Sequence, residues 1–434
     1  MMGRRLLSVA LGALAVSTAA LAQPVEVATL SAPDFFSNGA RDTGLGPDLW
    51  RGASAQTART VIPMLGAKPL SPAAQALARR VLATGASGPE TAGQDPELAG
   101  ARINALIAQG AVKDAAAILS RTANLDRSPT LAQAGAEAAL LAGDDERACD
   151  LAEGLTAGRE EIYWLRLRAY CQLRAGQAGP AQLTFDLAQG VARDAVYGRL
   201  MGAKLAGGGD PGAPSLRNGL DYALSRGLGL DVASAKPSPA MAAALQPTDP
   251  GPAVWTVEGS DQVHTAMAAV AVGDLAGAQT QRASLTADTV AVNDLALLDA
   301  LIGAASGKPD GPTLDRLVER GGAGEAKTRG KMQNAAILLA ALGAPMTPQA
   351  RGEFAKFTAA EPGKATVARG LALDLAGAER VPGETALLAL WMSADAGAAG
   401  PPVGDRARII RALKAAGLED DARAFAVEGL LAQR

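Results

Sequence analysis

Two cysteines, one histidine, a few paired acids and one aromatic cluster are the residues of this chain with chemistry to offer. Cys149 and Cys171 are its only cysteines; an exported chain would join them in a disulfide, the alternative being two free buried thiols. Two cysteines at this spacing make neither a convincing metal site nor a redox motif. His264 is the only histidine, so a Ser-His-Asp or Cys-His arrangement has one candidate base, and a two-histidine zinc site is excluded. A packing or surface role is the stronger reading for it.

Gly207, Gly209 and Gly212 in GGGDPG satisfy the G-x-G-x-x-G pattern. A dinucleotide site needs a strand before that pattern and a helix after it. The preceding GRLMGAKLA reads as helix, so the glycines read as a turn. The pairs Asp144-Asp145, Glu160-Glu161 and Asp420-Asp421 resemble the two carboxylates of sugar-cleaving enzymes. Each lies at a predicted helix start, where acids cap exposed amides, and capping is the better explanation. Tyr163, Arg166 and Tyr170 in EEIYWLRLRAYC are the candidate partner-binding residues, because aromatics and arginine anchor interfaces. They share a stripe beside the apolar one formed by Leu165, Ala169 and Leu173; packing between repeats is the alternative. No cofactor or metal is expected. Trp50, Trp255 and Trp391 are isolated and expected to fill gaps between helices.

The elements that must hold these residues follow from composition and spacing. Residues 1–22 read as a signal peptide: Arg4 and Arg5, an apolar run from Leu6 to Ala20, and an Ala20-Leu21-Ala22 cleavage site. Periplasmic delivery is the expectation. No later apolar run approaches the roughly 18 residues of a membrane-spanning helix. Removing the two signal arginines from the 41 Lys+Arg leaves 39 against 44 Asp+Glu, a formal charge of −5 with both signs mixed. That leaves no basic face for nucleic acid or anionic lipid. Aromatics are only 3% of the chain, and alanine and leucine dominate, which favours close-packed helices over strands. The 50 glycines and 25 prolines fall mostly between short periodic segments, implying many short helices.

Those glycines recur. Gly110, Gly143 and Gly176 are spaced 33 and 33 apart, and each has an alanine five residues on: Ala115, Ala148 and Ala181. The pair returns as Gly273 with Ala278 and as Gly417 with Ala422, while Gly208 with Ala213 is a further match. Gly307, Gly343 and Gly377 continue the spacing with Pro312, Pro348 and Pro382 at the fifth position. Glycine ends one helix in the left-handed conformation, a small or acidic residue caps the next, and alanine lets the two approach. A small residue also lies seven positions before the glycine at Ala136, Ala169, Ala266, Ala300, Ala336 and Gly370, though not at Ile103 or Ile410.

This glycine-x4-alanine grammar in a hairpin repeated every 33 to 34 residues resembles the tetratricopeptide repeat family, most clearly over residues 100–200 and without that family's aromatic positions. The segments GPDLWRGASAQ, PLSPAAQALARRVL and YWLRLRAYCQLRAG also resemble secreted alphaproteobacterial proteins, a likeness that brings no function with it. The repeat resemblance implies an all-α, right-handed solenoid of about ten helical hairpins, with a non-repetitive helical bundle as the alternative. In that frame Cys149 and Cys171 lie on helices that pack together.

The expected organisation is a signal peptide at 1–22, an extended or partly disordered arm at 23–47 and one solenoid half at 48–235. A proline-rich hinge at 236–252 and a second half at 253–434, ended by a capping hairpin, complete it. The expected function is a periplasmic scaffold or adaptor that binds protein partners of an envelope machine through a concave groove, not an enzyme. Flagellar, secretion, polysaccharide-export and wall-remodelling settings are equally open. The alternatives are a self-assembling subunit of an envelope ring or filament, and a non-catalytic superhelix relative of a wall-processing enzyme.

Overall fold

Gly110, Gly143, Gly176, Gly273, Gly307, Gly343 and Gly417 all adopt left-handed backbone, with φ between 69° and 97°. After each, the next residue's N–H donates to the carbonyl five positions back, from Ala111 to Leu106 through Leu418 to Leu413, at 2.8–3.2 Å. This is the Schellman helix ending, which satisfies carbonyls left over at a helix C-terminus. The computed structural model describes residues 34–246, 251–323, 325–358 and 363–433, and among them finds twenty-one α-helices and no strand. Among those residues, no helix is long and apolar enough to cross a membrane. The proposed signal peptide, and residues 23–33 of the expected arm, lie outside the described residues.

The helices run as successive pairs. α1 (Ala55–Ala67) and α2 (Pro72–Ala83) lead into α3 (Pro96–Ala108) and α4 (Val112–Leu119), then α5 (Pro129–Ala142) and α6 (Asp145–Gly154). α7 (Ile162–Arg174) and α8 (Ala178–Val191) follow, then α9 (Ala195–Leu205), α10 (Gly219–Gly227) and a short α11 (Pro239–Leu245). The remainder comprises α12 (Gln262–Ala271), α13 (Leu275–Ser284), α14 (Val292–Ala305), α15 (Gly311–Gly322), α16 (Ala326–Ala341), α17 (Pro348–Phe354), α18 (Val367–Ala378), α19 (Pro382–Ala396), α20 (Val403–Ala415) and α21 (Glu419–Leu431). The repeat alanines Ala115, Ala148, Ala181, Ala278 and Ala422 are fully buried, as are the small residues Ala136, Ala169, Ala266, Ala300 and Ala336. Pro312, Pro348 and Pro382 each sit in the first turn of a helix, where a missing N–H costs nothing.

Two turns depart from the expected spacing. At the end of α9 the left-handed residue is Gly207, not Gly208, and no helix follows until Gly219, so Ala213 is exposed rather than packed. α18 runs on through Gly377, and Arg380 takes the left-handed turn instead at φ 56°.

Alternate helices stack on one another in two runs, α1 on α3 on α5 and α12 on α14 on α16. The chain then closes on itself. α19 packs on α1 and α2, and α21 packs on α2, α14 and α16, so one hydrophobic core joins the first four helices to the last ten. A second core occupies α5 to α10. α5 divides the two, giving Leu131, Ala134, Ala138 and Leu141 to the first core and Ala132, Ala136, Ala139 and Leu140 to the second.

This arrangement corrects the expected halves. The described residues form one unit, and the boundary between cores falls at α5 rather than at the prolines. Within the expected hinge, α11 packs on α3 and α5 and buries Met241 and Ala244. The last hairpin does not cap an open stack but fills the seam between chain ends. Residues 34–47 are non-helical yet held: Phe36 is fully buried edge-on to Trp50, and Arg102 reaches the carbonyls of Phe35 and Asn38 from α3.

The seam is polar where it meets helix ends. Glu384 of α19 accepts from the Ser54 N–H at 2.9 Å and the Thr57 hydroxyl at 2.7 Å, capping α1. Glu428 of α21 accepts from the Ala73 N–H at 2.8 Å, capping α2, whose own N-cap Ser71 makes no such bond. Arg80 of α2 pairs with Asp421 at 2.5 Å, and Lys68 with Asp395 at 2.8 Å.

Candidate functional site

Cys149 on α6 and Cys171 on α7 form a disulfide with Cα atoms 5.5 Å apart, inside the second core. It joins the second helix of one pair to the first helix of the next. Around it lies a polar network, buried at Tyr170 and Asp145 and reached from the surface by two arginines. Tyr170 donates to Asp145 at 3.1 Å, and Arg174 and Arg226 reach the same carboxylate at 2.9 and 2.7 Å. Burial, reinforced by the Asp145 charge, pushes the Tyr170 phenol up to about 12.

Tyr163, Arg166 and Tyr170 therefore face inward rather than line a groove. Tyr170 is buried, and the Tyr163 hydroxyl is buried beside Glu137. Burial and the Glu137 charge push Tyr163 well above its ordinary value. Burial likewise lifts the Glu137 carboxyl, although that group accepts the Gly219 N–H at 2.5 Å and so caps α10. Arg166 donates to the Ala192 carbonyl at 3.0 Å, pairs with Asp194 at 3.4 Å and stacks over Tyr197 at 5.4 Å. The trio packs one hairpin on the next because the stripe beside Leu165, Ala169 and Leu173 meets α9 and α5, not solvent.

The other candidates resolve into structural roles. Asp144 caps α6 through the Arg147 N–H, but its neighbour Asp145 works at long range, as does Asp421 beside Asp420. Gly207, Gly209 and Gly212 form a left-handed turn after α9 with no helix receiving it. His264 lies in the first turn of α12, its Nδ1 2.6 Å from Asp261. Trp50 is buried; Trp255 donates to Glu428 at 3.2 Å, and Arg369 covers Trp391 at 4.1 Å. Among the described residues, no group of three or more His, Cys, Asp or Glu is placed to hold a metal ion.

What the surface offers instead is two apolar ridges. Leu183, Leu187 and Val191 on α8 are 73%, 55% and 59% exposed. Val367, Leu371 and Leu375 on α18 are 75%, 52% and 61% exposed. Each set follows i, i+4, i+8 spacing and so makes one continuous stripe. α8 is inverted relative to an ordinary amphipathic helix, burying only Ala181, Thr184 and Ala188, whereas α18 buries Leu373 together with Gly370, Ala376 and Gly377 and exposes a second apolar stripe. Contiguous large apolar residues left in solvent mark an interaction face. Sequence reasoning missed both ridges, although the signal was present: once Ala181 fixes the buried face of α8, Leu183 and Leu187 must point away.

Beside the α8 ridge lies an open cavity of about 630 Å³, lined by Phe185, Gln189, Gly190, Arg193, Gly198 and Arg199 among others. Arg193 is exposed, and Arg199 is committed to backbone carbonyls of the turn after α9. The Asp194 carboxylate at the same wall is already shared by Arg166 and Arg217. The cavity's rim is therefore positive.

No protein-family model, no curated protein and no solved structure matches this chain.

Proposed function

We propose that the chain is a periplasmic helical-repeat scaffold, a divergent relative of the tetratricopeptide repeats, that binds protein partners in an envelope machine. The left-handed glycine turns with buried alanines five residues on support the repeat kinship. A signal-peptide pattern at residues 1–22 and a disulfide support the periplasm, where disulfides persist. The observation that carries the binding reading is the pair of exposed ridges on α8 and α18. Docking on them replaces the concave groove as the proposed mechanism, since α21 occupies the seam.

The test is a crosslinking pull-down from the periplasm with the wild-type chain and with Leu187→Arg and Leu371→Arg. The reading expects a defined protein to be retained by the wild type and lost from a ridge variant whose circular dichroism and melting are unchanged. Retention of every captured protein by both variants would sink it. N-terminal sequencing of the same material should begin at Gln23; a chain that starts elsewhere and remains in the cytoplasm would overturn the periplasmic assignment.

A further inference from the structure

We propose that the α8 ridge of one copy docks on the α18 ridge of a second copy, so that the chain assembles head to tail. This rests on the reading of α8 and α18 as docking faces. The two ridges have the same length and spacing, and both are exposed, so neither covers the other within one copy. Aligned in parallel, Leu183 meets Val367, Leu187 meets Leu371, and Val191 meets Leu375. A large residue then faces a smaller one at each end, with leucine against leucine between.

The charges select this direction. In the parallel register the C-terminal ends of α8 and α18 lie side by side. Glu379, just past the end of α18, is carried toward Arg193. Arg193 lines the positive cavity and, among the described residues, has no carboxylate partner in its own copy. In the antiparallel register Arg193 would instead lie near Lys364, like against like.

The contact is heterologous, because the two faces differ. Such contacts close into rings or run on as filaments. It is also small: three ridge side chains a side stand against the roughly 20–30 residues a side of a stable interface. Association should therefore be weak and depend on protein concentration.

Sedimentation of the purified chain over a concentration series tests the inference. The wild type is expected to associate, and Leu187→Arg and Leu371→Arg each to remain monomeric. An equimolar mixture of the two variants should give a dimer and nothing larger, since one intact α8 and one intact α18 remain between them. Arg193→Glu, which leaves both ridges whole, should move association to higher concentration. A wild type that stays monomeric, or a Leu371→Arg variant that still self-associates, overturns the inference. If the wild type is monomeric while Leu187→Arg still loses an envelope protein, the second copy is the wrong occupant and the docking reading stands. If the ridge variants alter neither association nor capture, both fail.

Discussion

Glu428, in the last helix, accepts a hydrogen bond from the backbone N–H of Ala73 at 2.8 Å across 355 residues of sequence. Its other oxygen takes the Arg406 guanidinium at 2.6 Å, and both side chains are buried. The Trp255 indole N–H completes the set. Removing the carboxylate strands a buried cation and frees the first amides of α2, and breaking a buried pair in this way costs about 3–5 kcal/mol. Glu428→Ala should lower the unfolding free energy by at least ~3 kcal/mol, with Glu428→Gln losing less because it still accepts from Ala73. Urea unfolding measures it. A loss under about 1 kcal/mol would mean that the seam between chain ends contributes little.

The disulfide belongs to the second core alone. Cys149 and Cys171 close a loop with a separation of 22 residues, and a crosslink of that size stabilises by about 2–4 kcal/mol. Replacing both with serine should loosen α6 to α10 while leaving the core of α1, α2 and α12 to α21 protected. Hydrogen exchange resolved by peptide can separate the two. Equal loss of protection in both would show that the cores unfold as one unit, against the division at α5.

How far the fold was legible depends on which interactions are local. Turn glycines, the alanines that follow them and prolines in first turns are set by neighbours within a few residues, and the spacing exposed them. Gly377 misled because its φ is helical; nothing local distinguishes it from Gly343, and the turn passes to Arg380. Closure was not legible, since Glu384 and Glu428 look like ordinary surface acids and only their distant partners Ser54 and Ala73 give them a role. Arg102 was hidden for the same reason: its five N–H groups go to backbone carbonyls, including Leu82 at 2.7 Å and Thr84 at 2.8 Å, with no acid in sequence to announce it. Burial lowers its guanidinium to about 10. Tyr163, Arg166 and Tyr170 stand out in the sequence as unusual but not for which side of their helix they occupy, because two adjacent stripes of α7 both suit burial.

Arg380 supplies a direct test of the turn rule. It holds φ 56° where seven repeat glycines hold the same conformation, and its following residue Val381 completes the bond to Ala376 at 3.0 Å. A side chain in left-handed backbone costs roughly 1–2 kcal/mol, partly offset by the freedom glycine adds to the unfolded chain. Arg380→Gly should therefore raise stability by about 0.5–1 kcal/mol, and Gly176→Ala, which meets no atom within 4 Å, should lower it by about 1 kcal/mol through backbone strain alone. Paired thermal melts read both signs. A destabilised Arg380→Gly would show that the arginine side chain makes a contact worth more than the turn.

The pH dependence should have two components of opposite sign. Burial opposes ionisation of Asp194, but the Tyr197 N–H and Arg217 outweigh it and hold the carboxyl below its ordinary value. Asp395, between Lys68 and Arg369, and Asp95, beside Arg59, are lowered against burial in the same way. A carboxyl lowered in the folded state contributes stability above its unfolded pKa and loses it as pH falls through the folded one. Glu137 runs the other way: raised by burial, it contributes stability below its unfolded pKa and loses it as pH rises through the folded one. Asp194→Asn should thus melt lower than the wild type near neutral pH and converge with it in acid. Glu137→Gln keeps an oxygen for the Gly219 N–H and should melt no lower than the wild type at neutral pH, with any advantage vanishing as the wild-type carboxyl takes up its proton. Melting temperature followed from pH 7 downward distinguishes the two, and a Glu137→Gln variant that is clearly less stable at neutral pH would mean the buried carboxylate is held by its partners as an ion.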